Sequence, residues 1–370
     1  MDLFSDLPDP DRAEVNVSCS SVTSTTNNNT HQTEQDRLHE QVVPSTESNK
    51  KTPEERKRKL ECAIARKEDA STDKKAMKLE HGIHKLKGHM KEMKGEREEM
   101  QDAHVIIDDM TSQFDSLPSS ISRIAYYAVF DGHGGARAST FAASKLHSHI
   151  IQKFPKTDVT SLDKEVKRCL IDSFKLTDEQ FLKEASAQKP IWKDGSTAIC
   201  ILVVDSALYI ANLGDSKALL CRYNEDSKVD HFLPLSRDHS PTQYEERIRI
   251  QKAGGKVTDG RIMGILEVSR SIGDGRFKHC GVTCIPDVKK CLLTDKDKFL
   301  LLACDGLWKG FTIEGALEFI NNILKTDDTG DNKTENIDAK LEVACSRLAA
   351  EAIRRGSSDN VTVMLVSITT

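Results

Sequence analysis

The chain has 370 residues, of which 38% are hydrophobic and 30% charged, and its formal net charge is -5. Its apolar runs, such as Ala198–Val204, have the length of strands and fall short of the roughly 20 residues that cross a bilayer. The slight negative charge argues against bulk electrostatic capture of nucleic acid or anionic lipid. We therefore expect neither nucleic acid nor membrane among the partners.

Three features of the sequence bear on location. Residues 1–30 open with an acidic segment, are rich in Ser, Thr and Asn, and contain no apolar signal core, so we expect no secretion. The ten cysteines occur singly, several inside apolar runs, which is typical of reduced core thiols. A basic run at Arg56–Lys59 is either a solvated segment or a nuclear import signal. We predict a cytoplasmic location, extended to the nucleus if the run acts as a signal.

The N-terminal part of the chain differs in composition from the rest. It is polar, includes the low-complexity segment Thr25–Thr30, and lacks a sustained hydrophobic period. Such a composition cannot bury enough apolar surface to offset the entropy lost on ordering. We predict a disordered tail over residues 1–81 and one folded domain over residues 82–370.

Short apolar segments rich in β-branched residues predict strands in the folded domain, and amphipathic segments predict helices. The predicted strands are Tyr126–Phe130, Thr197–Val204, Leu208–Leu213, Lys217–Arg222, Phe299–Cys304 and Val361–Ile368. The predicted helices are Ala136–Phe154, Leu162–Glu184, a helix capped by Ser240 that stops at Gly254, Ile313–Leu324 and Ala339–Arg355. Strands follow one another closely between residues 197 and 222, and the helices come in groups. This order favours an α+β layered domain over a doubly wound parallel sheet.

Acidic residues recur at the ends of these segments, most of them beside a glycine. They are Asp131, Asp215, Asp274, Asp305 and Asp359. Any one of them alone is readily explained as a turn. Carboxylates that buried strands bring to one edge would repel one another unless cations neutralised them, and oxygen-rich clusters suit Mg²⁺ or Mn²⁺. The spacing alone leaves open whether these residues meet.

His133 follows Asp131 by two residues and lies between glycines. It is either a proton donor near neutral pH or a surface turn residue. The sequence lacks the Lys-Ser/Thr ending of a P-loop, the cysteine and arginine loop of thiol phosphatases, and the Asp-Phe-Gly and His-Arg-Asp segments of kinases. Cys280 and Cys284 beside His279 suggest zinc, but no second pair lies at finger spacing.

Seven segments, in this order, resemble the metal-dependent protein serine/threonine phosphatases of type 2C. They are Arg97–Asp102, Phe130–Gly135, Gly195–Thr197, Gly214–Ser216, Ser269–Asp274, Ala303–Gly306 and Ser358–Asn360. The resemblance implies a central antiparallel β-sandwich flanked on both sides by pairs of helices. It also implies a monomeric hydrolase of phosphoserine and phosphothreonine in protein substrates, with two Mg²⁺ or Mn²⁺ ions per chain and a role in kinase signalling.

The resemblance assigns metal ligands residue by residue. Asp131 would bridge the two ions, the carbonyl of Gly132 would bind one of them, and Asp305 and Asp359 would bind the other. A water shared by both ions would attack phosphorus in line. Secondary metal or water ligands would come from Gln101, Asp102, Asp215 and Asp274.

The resemblance also assigns Arg97 to the substrate phosphate and His133 to protonation of the leaving oxygen. Gln101 departs from the glutamate usual in the family, so we expect weaker affinity for the ion held there through waters. Lys309 stands where many members have an acid that, with Asp215, binds a third ion, so we expect weak or absent binding of that ion. The two departures leave open a catalytically weak scaffold that binds a phosphoprotein or a kinase.

Overall fold

The computed structural model describes residues 84–325 and 337–369. The tail predicted over residues 1–81 lies outside these described residues and stays a prediction. The described chain has the expected α+β fold with antiparallel sheets. Within this part of the chain, no helix is long and apolar enough to cross a membrane.

Two five-stranded antiparallel sheets form the centre of the fold. The first contains, in spatial order, β1 (Lys85–Met93), β15 (Val361–Thr369), β14 (Asp297–Ala303), β8 (Lys217–Asn224) and β9 (Val229–Pro234). The second contains β13 (Asp287–Leu292), β7 (Ala207–Leu213), β6 (Ala198–Val204), β3 (Ile124–Phe130) and β2 (Ala103–Ile107). All the strands that the sequence predicts are present. The strands of these two sheets that it missed are β1, β9, β13 and β2, which are the four edges.

The inner strands alternate their side chains between two cores, as period-two geometry requires. In β3, Tyr127 and Val129 lie in the core between the sheets, whereas Tyr126 and Phe130 lie in the core beneath the helices on the outer face. Burial on both faces explains why the inner strands are continuous apolar runs in the sequence. Edge strands are only partly buried and lack such runs.

Six helices occur in the described residues, and two pairs of them cover the outer faces of the sandwich, as predicted. The pair on the second sheet is α1 (Arg137–Lys153) and α2 (Leu162–Ser186), and the pair on the first is α5 (Ile313–Lys325) and α6 (Ile337–Arg354). The other two are α3 (Tyr244–Lys252) and α4 (Asp305–Gly310). The sequence did not predict α4, because its six residues carry no full amphipathic period.

The predicted start of the third helix is wrong. The helix begins at Tyr244 with Gln243 as its N-cap residue, and Ser240 lies before it. The Ser240 hydroxyl accepts a hydrogen bond from the Thr242 N–H at 3.3 Å, and the Ser240 carbonyl accepts one from the Gln243 N–H at 3.0 Å. Ser240 therefore forms a local turn, the alternative that serine hydroxyls offer the backbone.

Residues 240–282, here called the outer segment, form a small unit with its own core. It contains α3, the hairpin strands β10 (Val257–Thr258) and β11 (Arg261–Ile262), and a 3-10 helix over Gly275–Cys280. The core residues are Ile250, Ile262, Leu266, Val268, Phe277, Cys280 and Val282.

A buried carboxylate fixes α3 within the outer segment. Glu246 is 3% exposed and accepts hydrogen bonds from the Ser269 hydroxyl at 2.5 Å and the Arg270 guanidinium at 2.7 Å. Arg249 lies 2.8 Å from the same carboxylate, and Arg270 also reaches Asp287 of edge strand β13 at 2.8 Å. Burial alone would raise the pKa of Glu246, but these donors outweigh burial and lower its pKa to about 2.

We predict that Glu246→Gln destabilises the protein by roughly 2–3 kcal/mol, because two guanidinium groups lose their carboxylate partner. The wild-type carboxylate stabilises the fold above its unfolded pKa near 4.5, and this contribution disappears as the pH falls toward 2. The difference in unfolding free energy between wild type and variant should therefore shrink across that range. Urea unfolding at a series of pH values measures it, with exposed Glu245→Gln as the control. A difference independent of pH would contradict the assignment.

Candidate active site

The acidic residues that the sequence singled out meet at one end of the sandwich because the strands that carry them are in register there. Asp131 follows β3 and Asp305 follows β14, whereas Asp102 and Asp359 precede β2 and β15. Ala103 pairs with Phe130, and Ala303 pairs with Val363, so these strand ends lie side by side in each sheet. Asp215 lies at the same end, in the turn between β7 and β8.

Two of these carboxylates and one thiol lie especially close together. Ligand atoms of Asp102, Asp131 and Cys304 are all within 4.8 Å of one another. Desolvation, then the charges of Asp102, Asp305 and other neighbouring carboxylates, raise the pKa of Asp131 well above its ordinary value. Desolvation likewise raises the pKa of Asp102 to about 6, and that of Asp215 to about 6 with a further contribution from Asp305. The cluster therefore disfavours its own ionised form unless positive charge is supplied.

An unpartnered oxygen shows that these residues fit a divalent cation. Asp102 is 8% exposed, and its Oδ2 accepts a hydrogen bond from the Thr362 hydroxyl at 2.7 Å, while its Oδ1 has no hydrogen-bond partner. A buried carboxylate oxygen without a donor is suited to a metal ion or to a water held by one. The backbone at Gly132 passes close to the loop that carries Gln101. A Cβ at position 132 would lie 2.2 Å from the Gln101 carbonyl oxygen, so this close approach requires glycine.

Two side-chain cations lie against the other predicted ligands. The Lys309 ammonium is 2.6 Å from Oδ2 of Asp305 and 2.5 Å from Oδ2 of Asp359. The Arg97 guanidinium donates to the same Asp359 oxygen at 2.9 Å. Burial would raise the pKa of Asp359, but Lys309 and Arg97 outweigh it and the pKa is lowered. Burial would lower the pKa of Lys309, but the two carboxylates raise it above the ordinary lysine value.

His133 forms a pair with a buried acid. Its Nε2 lies 2.7 Å from Oδ2 of Asp274, which is 2% exposed. Burial alone would lower the pKa of His133, but the Asp274 carboxylate outweighs burial and raises it. Asp274 was predicted as a secondary metal or water ligand, and this stays a prediction; in the structure its carboxylate contacts the His133 ring.

A three-stranded sheet of very short strands brings His133 and Asp274 together. It consists of β4 (Gly132–His133), β5 (Gly195–Ser196) and β12 (Ile272–Gly273), in the order β12-β5-β4. A Cβ at Gly195 would lie 2.1 Å from Oδ2 of Asp274 and 2.3 Å from Nε2 of His133. Only glycine at position 195 leaves room for the contact between His133 and Asp274. This explains the glycine of the Gly195–Thr197 segment, for which the sequence alone indicated no chemical role.

Asn360 is a further site residue, whose role was not predicted from the sequence. Its side-chain NH₂ donates to the carbonyls of Lys94 at 2.8 Å and Glu99 at 3.0 Å, and its Oδ1 accepts from the Gln101 N–H at 2.8 Å. These contacts fix the loop that carries Arg97 and Gln101 next to Asp359. An amide side chain has no acid-base chemistry near neutral pH. The only feature of the sequence that could have indicated a role for Asn360 is its position between Asp359 and a predicted strand.

Hydroxyl groups support the remaining motifs. The Thr197 hydroxyl lies 2.9 Å from the Ser216 hydroxyl and accepts a hydrogen bond from the Asp131 N–H at 3.2 Å. Ser139 of α1 donates to the Gln101 carbonyl at 2.5 Å. The turn with Asp215 is therefore connected to the loop with Asp131 through the side chains of Ser216 and Thr197.

We predict that Asn360→Ala destabilises the protein by about 2–3 kcal/mol, because three backbone groups lose their partner. It should also weaken Mn²⁺ binding, since the loop with Gln101 and Asp102 loses its attachment to Asp359. Chemical unfolding and calorimetric Mn²⁺ titration measure the two effects. Asn224→Ala is the matched control, because Asn224 accepts two turn hydrogen bonds at the opposite end of β8. Equal effects of the two substitutions would contradict the role given to Asn360.

Comparisons with known proteins agree with this geometry. The sequence profile "Protein phosphatase 2C" matches residues 86–361. The chain is 56% identical over 321 residues to the integrin-linked kinase-associated serine/threonine phosphatase 2C of Mus musculus, covering 86% of this chain and 80% of the mouse protein. It is 58% identical over 298 residues to the Homo sapiens protein of the same name, covering 80% of this chain and 76% of that protein.

Solved structures show the same fold. A sex-determining protein of C. elegans superposes with a TM-score of 0.62 at 27% identity, over 76% of this chain and 64% of the nematode chain. The serine-threonine phosphatase 2C of Toxoplasma gondii gives a TM-score of 0.62 at 21% identity, over 77% of this chain and 95% of that chain.

Proposed function

The chain belongs to the protein phosphatase 2C family of serine/threonine phosphatases, and we propose that it hydrolyses phosphoserine and phosphothreonine in proteins with two divalent cations, Mg²⁺ or Mn²⁺, at the candidate active site. The convergence of Asp102, Asp131, Asp305 and Asp359 at one end of the sandwich carries this proposal. Burial, and then the charges of the neighbouring carboxylates, raise the pKa of Asp131 and Asp102, as expected for a group of acids that needs cations in order to ionise together.

Asp131, Asp305, Asp359 and the carbonyl of Gly132 would hold the two ions. When bound, such ions supply a water of lowered pKa for in-line attack on phosphorus. Asp102 would orient one of the bound waters through its unpartnered Oδ1, with Gln101 beside it in the loop. Because water would be the attacking nucleophile, no cysteine, serine or aspartate needs to form a phosphoenzyme.

His133 would act as general acid. Its Nε2 is engaged with Asp274, so Nδ1 is the ring nitrogen left to donate a proton to the departing seryl or threonyl oxygen. The raised pKa of His133 keeps the imidazole protonated closer to neutral pH, which is the form that a general acid needs. Asp274 is therefore a positioning residue, which fixes the ring and stabilises its charged form.

Arg97 would bind the substrate phosphate. Its side chain is 57% exposed, and one Nη2 contact fixes it to Asp359. A guanidinium carries five N–H donors, so this contact leaves others for the oxygens of a phosphoryl group. The Asp359 carboxylate thus connects the phosphate-binding group to the metal-binding group.

We also propose partners and location. The names of the mammalian relatives associate them with integrin-linked kinase, which supports a kinase complex as a partner of this chain besides its phosphoprotein substrates. We further propose a monomer in the cytoplasm, with nuclear entry through the basic run at Arg56–Lys59. A catalytically weak scaffold is the second candidate, favoured by the contact of Lys309 with two metal ligands.

We predict Mn²⁺-dependent, chelator-sensitive hydrolysis of a phosphothreonine peptide. Asp305→Asn should reduce the turnover more than about 100-fold while leaving the fold intact, because a direct ligand is lost. Asp226→Asn, at the exposed turn between β8 and β9, is the matched control and should keep wild-type turnover. Phosphate release and melting temperature measure activity and folding. Absence of metal-dependent turnover with retained binding of a phosphopeptide would favour the scaffold.

We predict that Asp274→Asn lowers kcat for a phosphothreonine peptide roughly 100-fold, because the general acid is misoriented and less basic. The same variant should hydrolyse p-nitrophenyl phosphate at nearly the wild-type rate, since nitrophenolate leaves without a proton. The limb of the pH profile that depends on protonated His133 should shift to lower pH. Equal losses on both substrates, or an unchanged profile, would assign Asp274 a structural role only.

A further inference from the structure

Lys309 is placed by helix geometry over two predicted metal ligands. It lies four residues after Asp305 in α4, so both side chains are on the same face of the helix. Its ammonium is 2.6 Å from Oδ2 of Asp305 and 2.5 Å from Oδ2 of Asp359, which β15 brings in from the neighbouring strand. One monovalent cation therefore contacts both carboxylates assigned to the same ion.

Both carboxylate oxygens of Asp359 already have hydrogen-bond partners. Its Oδ2 accepts from both Lys309 and Arg97, and its Oδ1 accepts from the backbone N–H of Asn360 at 2.8 Å. A divalent cation that binds Oδ2 of Asp359 must share this oxygen with two positive groups or displace at least one. Lys309 is the nearer of the two and the one that also contacts Asp305.

We propose that Lys309 is a built-in competitor of the metal ion at Asp305 and Asp359, neutralising these carboxylates in the metal-free protein and moving away when the ion binds. This inference rests on the proposed metal-dependent function. From the sequence, Lys309 was expected to weaken only the binding of a third ion near Asp215. By the present inference, Lys309 also weakens the binding of one of the two ions proposed to be required for turnover. The ion at Asp305 and Asp359 is then weakly held, and its occupancy follows the free concentration of divalent cations.

The position of Lys309 suits such an exchange. Its side chain is 42% exposed, so the ammonium can move into solvent without leaving an unpartnered buried charge. The ion that replaces it restores the neutralisation of both carboxylates with twice the charge. An ordinary surface ion pair joins one cation to one carboxylate and has no such consequence for a ligand.

Calorimetric titration of Mn²⁺ into the chelator-treated full-length chain tests the inference, with wild type, Lys309→Met, Lys309→Arg and Lys298→Met compared. Lys298 is the matched control, because this residue of β14 pairs with Asp230, which is not a proposed ligand. Lys309→Met should bind its weaker Mn²⁺ about tenfold more tightly than wild type, whereas Lys309→Arg and Lys298→Met should resemble wild type.

Thermal unfolding gives a second readout that does not depend on activity. Without metal, Lys309→Met should melt below wild type because Asp305 and Asp359 lose the ammonium that they share and only Arg97 still neutralises Asp359. With saturating Mn²⁺ the variant should gain more in melting temperature than wild type gains. If Lys309→Met binds Mn²⁺ no more tightly than wild type while all four proteins bind it, the competitor role is wrong. If none of the four binds Mn²⁺, the proposed function fails together with the inference.

Discussion

The burial of several carboxylates close together at one end of the β-sandwich is the constraint on which the candidate site depends. Burial and neighbouring charges raise the pKa of Asp131 and Asp102, so the ionised form of the cluster is disfavoured unless positive charge offsets it. Lys309 and Arg97 provide part of that charge at Asp359. Divalent cations would provide the rest. The same burial and repulsion that oppose ionisation of the carboxylates would therefore favour the binding of a metal ion.

The fold meets this constraint by building the site at the ends of paired strands. The acidic residues lie one or two positions beyond paired strands, two of which, β3 and β14, are buried on both faces. Hydrogen bonds with the side chains of Asn360, Thr197 and Thr362 hold the loops that carry Gln101, Asp131 and Asp102: Asn360 and Thr197 accept from the backbone N–H groups of Gln101 and Asp131, and Thr362 donates to Asp102. The side chains are thereby fixed at the mouth of the sandwich before any ion binds, which reduces the entropic cost of binding.

Burial determined what the sequence could reveal. Inner strands were predictable because both faces are apolar, whereas the four edge strands and the six-residue α4 lack a periodic signal. The acidic residues were found from their glycine neighbours and the family resemblance, but their proximity depends on strand register. The pairing of His133 with Asp274 joins residues 141 positions apart through a sheet of two-residue strands, and no local pattern encodes it. Lys309 was noticed as a departure, but its contact with Asp359 required the orientation of α4.

The most direct measurement is anomalous diffraction from crystals of the protein grown with Mn²⁺. We expect two anomalous peaks at the mouth of the sandwich, both within coordination distance of the Asp131 carboxylate, one of them also bound by Asp305 and Asp359. The Lys309 ammonium should then lie away from these two carboxylates. A map without a peak beside Asp131 at saturating Mn²⁺ would contradict the assignment of this end of the sandwich as a metal-dependent active site.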